Sequence, residues 1–91
     1  MQKKLLSKQP DMKEFIIYIV QQIVSHPEAI EVEEVTEEGV FVYTISAAKE
    51  DMGTLIGKEG RNIKSIRNMA KAKAIKDDIR ISVNIKEDDQ I

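Results

Sequence analysis

Cysteine and tryptophan are both absent from this chain of 91 residues. The lack of thiols excludes a disulfide-stabilised scaffold and a thiolate metal site, and it suits a reducing compartment. Aromatic residues are also few. Phe15 and Tyr18 fall in the first predicted helix, and Phe41 and Tyr43 fall in a predicted buried strand. An exposed platform for stacking nucleobases, of the kind used by RRM domains and OB-folds, is therefore not predicted.

Long apolar segments are missing as well. The first ten residues, MQKKLLSKQP, have no apolar stretch long enough for a signal peptide, and no run in the chain approaches transmembrane length. We therefore expect a cytoplasmic protein that is not bound to membranes. Apolar residues still make up 42% of the chain, which predicts a folded domain rather than a disordered chain.

The net charge of -2 conceals a separation of charge along the chain. Residues 28–38 contain six glutamates and no cation, whereas residues 57–76 contain seven lysines and arginines against one glutamate. A ligand responds to the local field, which decays over roughly 8 Å at physiological salt, so an acidic chain can still bind an anion locally. The alternative is two solvated faces of opposite sign, and charge by itself does not exclude it.

The sequence predicts an N-terminal helix. Asp11 is a suitable N-cap, and Glu14 three positions later completes a pair that resembles a capping box. Apolar residues then recur at helical spacing up to about Ser25, where Pro27 disfavours further helix. The predicted apolar stripe consists of Met12, Phe15, Ile16, Ile19, Val20 and Ile23.

A β-hairpin is predicted next. Residues 30–37 alternate between apolar side chains and glutamates, except that Val35 has the opposite parity and predicts a bulge one or two residues before it. The sequence EEG, which ends at Gly39, favours a turn. The following VFVYTI, about residues 40–46, is typical of a buried strand.

The second half of the chain predicts a short helix at about 49–56, a longer helix at about 60–76 and a strand at 79–85. A crossover through two helices makes the strands at 40–46 and 79–85 parallel. The predicted fold is α+β with the order α-β-β-α-α-β, in which three helices pack on one face of a three-stranded mixed sheet. The expected organisation is a flexible basic extension (1–10), one domain (11–86) and an acidic tail (87–91).

The stretch IGKEGRNIKSIR, residues 56–67, contains two glycines separated by a lysine and a glutamate. The pattern G-x-x-G alone arises by chance in roughly one chain of this length in three. Its position between two predicted helices, with isoleucines on both sides, makes the combination much more specific. Four apolar residues near it could line a groove or serve the core, and they are Leu55, Ile56, Ile63 and Ile66.

A loop of this kind can hold a phosphate backbone. Gly57 can adopt positive φ, and Gly60 lets the chain re-enter a helix with no side chain in the way. The N–H groups that open the second helix favour an anion, and Lys58 adds a mobile cation. Glu59 does not help a phosphate, so we expect it to turn away. The candidate binding residues are Ile56, Gly57, Lys58, Glu59, Gly60, Arg61, Ile63, Lys64 and Arg67.

This stretch, preceded by AAKEDMGTL, resembles the KH-domain signature, and the predicted element order resembles the type II form of that fold. The chain is similar to the small single-KH-domain proteins of bacteria, the KhpA family, in its MKE, SHPE and EDMG-x-x-IGKxG segments. The resemblance covers about residues 12–86. It implies RNA binding through Gly57–Gly60, and post-transcriptional control linked to envelope synthesis and cell division. It also implies self-association or pairing with a larger multidomain KH protein of the KhpB (Jag) type.

The leading hypothesis is therefore a protein that clamps about four nucleotides of single-stranded RNA, as a post-transcriptional regulator or RNA chaperone. The alternative is a protein-interaction subunit that acts through dimerisation or a larger KH partner. Ile17, Tyr18 and Val24 motivate it, because these apolar residues fall outside the predicted stripe of the first helix. An enzyme is not expected. His26 precedes a proline and is accompanied by no triad, metal-ligand spacing or Walker-type loop, so no cofactor or metal is expected.

Overall fold

The computed structural model describes residues 11–86, so the predicted N-terminal extension (1–10) and acidic tail (87–91) lie outside the described residues. The predicted order α-β-β-α-α-β is confirmed. The elements are α1 Met12–Gln21, β1 Glu31–Glu37, β2 Val40–Ser46, α2 Met52–Ile56, α3 Arg61–Asp77 and β3 Arg80–Ile85. Short 3₁₀ turns at Pro27–Ala29, Lys49–Asp51 and Lys58–Gly60 complete the chain path. Within this range no helix has the length and apolar character needed to span a membrane.

The three strands form one mixed sheet in the order β1-β2-β3. β1 and β2 are antiparallel neighbours, and β2 and β3 are parallel, as the crossover through α2 and α3 predicted. Both outer strands have one free edge within the described residues, and the free edge of β3 lies beside α3.

The core lies between the sheet and the helices. One cluster of buried side chains contains residues from every helix and every strand, so the three helices cover the same face of the sheet. The members are Met12, Ile16, Val20, Ile30, Val32, Tyr43, Ile45, Leu55, Ile63, Ile66, Ala70, Ala74 and Val83. The fully buried Ile16, Ile45 and Leu55 each contribute about 1.5–3 kcal/mol relative to an exposed side chain.

Helix α1 begins as predicted and ends early. The side chain of Asp11 accepts a hydrogen bond from the Glu14 N–H at 2.9 Å, which confirms the N-cap. The helix ends at Gln21, about four residues before the predicted end. The N–H groups of Gln22 and Ile23 donate to carbonyls three residues back, so the chain tightens into 3₁₀-type turns and then leaves the helix. Ile23 consequently leaves the apolar stripe and is exposed.

The bulge predicted in β1 is wrong. The pairing of β1 with β2 runs without interruption from Glu31 opposite Ser46 to Glu37 opposite Val40. Val35 has the opposite parity because it lies on the open face of the sheet, where it is 44% exposed and opposite Val42. The predicted turn is confirmed, since the two residues between the strands, 38 and 39, both have positive φ, as a tight hairpin requires.

Candidate functional site

The loop between α2 and α3 depends on glycine at its first position. Gly57 has φ 81° and ψ 167°, a conformation open essentially to glycine alone. Its N–H donates to the Gly53 carbonyl at 2.8 Å and so ends α2. A Cβ atom added at Gly57 would lie 2.8 Å from the backbone nitrogen of Asn62. Gly60 also has positive φ, 73°, but a Cβ atom there would meet open space up to Ile63 at 4.0 Å.

The two bridge residues of the loop, Lys58 and Glu59, are exposed. The loop's own turns use the N–H groups of Gly60 and Arg61, which donate to the carbonyls of Gly57 and Lys58. The sequence analysis pointed to the N–H groups at the start of the second helix, and the first of these, that of Arg61, is used inside the loop.

Glu59 adopts a left-handed conformation with φ 56°, which few residues other than glycine, asparagine and aspartate adopt readily. Its carboxylate lies 3.7 Å from a terminal nitrogen of Arg61, and both side chains are largely exposed. An exposed ion pair of this kind is weak, so both groups are available for exchange with another ion.

Asn62 braces the loop from inside, which the sequence analysis did not identify. Its side-chain Nδ2 donates to the carbonyl of Thr54 at 2.6 Å, so it satisfies one of the free carbonyls at the end of α2. The same side chain fills the space next to Gly57. A short polar residue two positions after the second glycine was the available signal, because such residues commonly bond a neighbouring backbone.

A groove of about 350 Å³ runs between α3 and the free edge of β3. The predicted residues Lys64 and Arg67 lie on its helical wall. Arg61 lies one turn nearer the loop on the same helix, at the beginning of α3. The groove is lined by Lys64, Arg67, Asn68, Lys71, Ile81, Ser82, Val83 and Asn84. The hydroxyl of Ser82 and the amide of Asn84 on β3 are not among the predicted binding residues.

Arg67 joins the helix to the edge strand. Its Nε donates to the carbonyl of Val83 at 2.8 Å, in a partly buried position. Within residues 11–86 no other hydrogen bond or ion pair engages this guanidinium, so its two terminal amino groups remain for a ligand. An arginine fixed in this way presents a planar donor pair at a defined place in the groove.

The isoleucines near the loop serve mainly the core. Leu55 and Ile66 are fully or almost fully buried, so both side chains belong to the core and do not line the groove. Ile63 is 7% exposed, and only Ile56 of this set is half-buried. The groove is therefore largely polar and basic, whereas an apolar one was considered from the sequence.

Ion pairs in the described part of the chain leave the groove positively charged. The three pairs within residues 11–86 join His26 to Asp51, Arg61 to Glu59 and Lys73 to Asp77. None of them involves Lys64, Arg67 or Lys71, so these cations attract an anion along one side of α3. Lys73 does not belong to this set, because its ammonium pairs with Asp77 and also lies over the Phe15 ring.

His26 lies away from the groove, in the linker between α1 and β1. Its Nδ1 is 3.2 Å from the buried carboxylate of Asp51, and no hydroxyl hydrogen-bonds to the ring in the described residues. No group of three histidine, aspartate or glutamate side chains is arranged to hold a metal ion between residues 11 and 86.

Comparisons with known proteins identify a family that matches most of the chain. A family described as "KhpA/KhpB, KH domain" matches residues 13–85. A protein of Chlamydia pneumoniae named "RNA-binding protein KhpA" is 42% identical over 77 residues, which cover 85% of this chain and 99% of that protein. Proteins with the same name from Clostridium acetobutylicum and Listeria monocytogenes are each 40% identical over 74 residues. Those alignments cover 81% of this chain and 99% and 97% of the two relatives.

Proposed function

Because the chain belongs to the KhpA/KhpB family of KH domains, we propose that it binds single-stranded RNA through the Gly57–Gly60 loop and the adjoining groove. The observation that carries the proposal is the continuity of the loop with the basic side of α3. Its relatives are named RNA-binding proteins, which agrees with a binding module rather than an enzyme.

The loop holds the backbone of the RNA. A phosphate that lies on the exposed bridge accepts hydrogen bonds from the backbone N–H groups of Lys58 and Glu59, while the Lys58 ammonium supplies the charge. No side chain at Gly57 or Gly60 obstructs the approach of the sugar-phosphate chain. Glu59 remains on the exposed side with Arg61, where it reduces attraction to anions in general.

The groove receives the nucleotides that follow. Lys64, Arg67 and Lys71 extend the positive surface along α3, and they contact further phosphates. On the opposite wall, Ser82 and Asn84 offer hydrogen-bonding groups to base edges. With three or four phosphate contacts, the logarithm of the association constant should fall with the logarithm of salt concentration at a slope of about -2 to -3.

Changing both Lys58 and Glu59 to aspartate tests the loop. Aspartate tolerates the left-handed conformation at position 59, so the fold should be kept. We expect binding to a single-stranded RNA oligonucleotide to weaken by about tenfold or more, because a charge-assisted contact contributes about 1.5–3 kcal/mol. A filter-binding or fluorescence-anisotropy titration at several salt concentrations measures the effect.

Lys49→Asp is the matched control for this variant. It changes the charge by the same amount at an exposed position before α2, outside the groove. A small effect of Lys49→Asp beside a large effect of the double variant assigns the loss to the loop. Equal affinity of the wild-type protein and the folded double variant would refute the loop mechanism.

We place this activity in the cytoplasm, in post-transcriptional regulation or as an RNA chaperone. A single domain with a modest number of phosphate contacts binds weakly and exchanges rapidly, which suits transient action on many transcripts. Control of envelope synthesis and cell division is the process that we propose for those transcripts.

Self-association, or pairing with a larger KH protein of the KhpB type, is the second candidate function. Tyr18 is 63% exposed on α1, and Ile23 is exposed just after it. Ile17 and Val24 pack partly against the core, so fewer apolar side chains are exposed on and just after α1 than the sequence indicated.

We expect the mass measured by analytical ultracentrifugation to rise with protein concentration. Tyr18→Lys should reduce that rise. A strict monomer at high micromolar concentration, with no KH partner bound, would contradict this candidate.

A further inference from the structure

A buried carboxylate outside the groove joins two segments that are distant in sequence. Asp51 is 2% exposed. Its Oδ1 accepts a hydrogen bond from the N–H of Ser25, and its Oδ2 accepts one from the N–H of His26, both at 2.9 Å. Within residues 11–86 no lysine or arginine pairs with it. Burial of such a charge is unfavourable unless hydrogen bonds of this kind stabilise it, so the linker and the carboxylate hold each other in place.

The same contacts keep Asp51 ionised. The N–H of Ser25 is the largest cause that lowers the pKa of Asp51 below its ordinary value of 3.8. Burial acts in the opposite direction, and the N–H and ring of His26 assist Ser25 in lowering the pKa. At neutral pH the carboxylate therefore accepts both backbone hydrogen bonds as an anion, which makes them stronger than neutral ones.

Asp51 also stands at the start of α2. It is the last residue of the 3₁₀ turn and the N-cap of the helix. A helix of five residues is not stable in isolation, so contacts with the rest of the domain determine where it lies. Leu55 is fully buried and fixes its middle, and the Asn62 amide fixes its C-terminal end at Thr54. The carboxylate of Asp51 fixes its N-terminal end.

We propose that Asp51 is a positioning residue for the Gly57–Gly60 loop. By holding the start of α2 against residues 25–26, it keeps the loop that follows α2 in the conformation that receives the RNA backbone. A segment already held in its binding conformation loses less conformational entropy when the ligand binds. The effect on affinity rests on the proposed function, whereas the effect on the loop itself does not require RNA.

Asp51→Asn tests the proposal first without RNA. Asparagine has nearly the same size, but its amide can accept only one of the two backbone hydrogen bonds. We expect amide hydrogen exchange at residues 25–26 and at Gly57 and Gly60 to become about tenfold faster or more. Exchange in the middle of α3, at residues 66–70, should accelerate less than exchange in the loop, because these amides exchange when the whole domain opens and report only the loss of global stability.

An RNA titration of the same variant gives a second readout. The dissociation constant should rise by about fivefold because the loop must be ordered on binding. The salt dependence of binding should not change, since no phosphate contact is removed. Loss of a phosphate-contacting cation would change both quantities, so the pair of measurements separates a positioning role from direct contact.

Ile16→Val and His26→Ala are the controls. Ile16→Val removes one buried methylene group on α1 and lowers global stability without touching Asp51. It should leave loop exchange and RNA affinity unchanged under conditions in which the protein is folded. His26→Ala keeps both backbone hydrogen bonds to Asp51, so it should change the dissociation constant by less than about twofold.

The possible results separate the two hypotheses. Equal hydrogen-exchange rates of the loop amides in Asp51→Asn and in Ile16→Val would overturn the positioning role. Faster loop exchange in Asp51→Asn with unchanged RNA affinity would overturn it as well. Absence of RNA binding by the wild-type protein would refute the proposed function alone. If Asp51→Asn does not fold, amide hydrogen exchange in the wild-type protein tests the proposal instead. The amides of Ser25, His26, Gly57 and Gly60 should then open with one free energy and one urea dependence, and separate openings would overturn the proposal.

Discussion

Replacing Gly57 with alanine should destabilise the domain by about 3–4 kcal/mol and abolish measurable RNA binding. Alanine at φ 81° and ψ 167° costs about 1–3 kcal/mol in backbone strain alone. Its Cβ would also lie 2.8 Å from the backbone nitrogen of Asn62, a contact that only a shift of the loop or of the start of α3 can relieve. Domains of this size have roughly 5–10 kcal/mol of total stability, so the loss is large.

Gly60→Ala is the matched control in the same loop. Gly60 lies in the left-handed region, where alanine costs about 1–2 kcal/mol, but its Cβ would meet open space. Urea unfolding of both variants should therefore show a loss at Gly57 at least twice that at Gly60. Equal losses would mean that crowding against Asn62 does not determine the requirement for glycine.

The sequence predicted the fold well where periodicity and chain connection agree. In α3 apolar residues recur at helical spacing, and in β3 Ile81, Val83 and Ile85 alternate with polar residues, so each element allows one burial pattern. A crossover through two helices then makes β2 and β3 parallel. The prediction failed where contacts between residues distant in sequence determine the local structure. Ser25, where the sequence predicts the end of α1, lies beyond the helix and donates its N–H to Asp51, 26 residues away. The sequence predicts a bulge before Val35 because an apolar side chain is expected to face the core. Valine is also accepted on the open face of the sheet, where Val35 lies.

The candidate site was predicted from the glycines and the spacing of cations on one helix. Spacing places Lys64 and Arg67 on one side of α3, and the structure brings both to the same groove. The opposite wall could not be predicted, since it depends on which edge of β3 lies beside α3. Asn62 and Asp51 were also missed, because their roles lie in hydrogen bonds to the backbone of residues 8 and 25 or more positions away.

Arg67→Ala should weaken RNA binding by about tenfold to fiftyfold and reduce the magnitude of the salt slope by about 0.7, the contribution of one phosphate contact. The magnitude follows from two losses. The guanidinium no longer reaches the ligand, and the bond from Nε to the Val83 carbonyl, worth about 1 kcal/mol net, no longer holds the edge strand to α3. Urea unfolding should show only that smaller loss, so the variant remains folded during the titration.

Arg67→Lys separates the charge from the geometry. Lysine keeps a cation in the groove, but it lacks an Nε–H for Val83 and the planar donor pair. We expect the salt slope of the wild-type protein together with an affinity about threefold to fivefold lower. Lys76→Ala, an exposed cation in the last turn of α3 that does not line the groove, should change neither quantity. An unchanged slope in Arg67→Ala would show instead that Arg67 braces β3 without contacting a phosphate, and the backbone contacts would then belong to Lys58, Lys64 and Lys71.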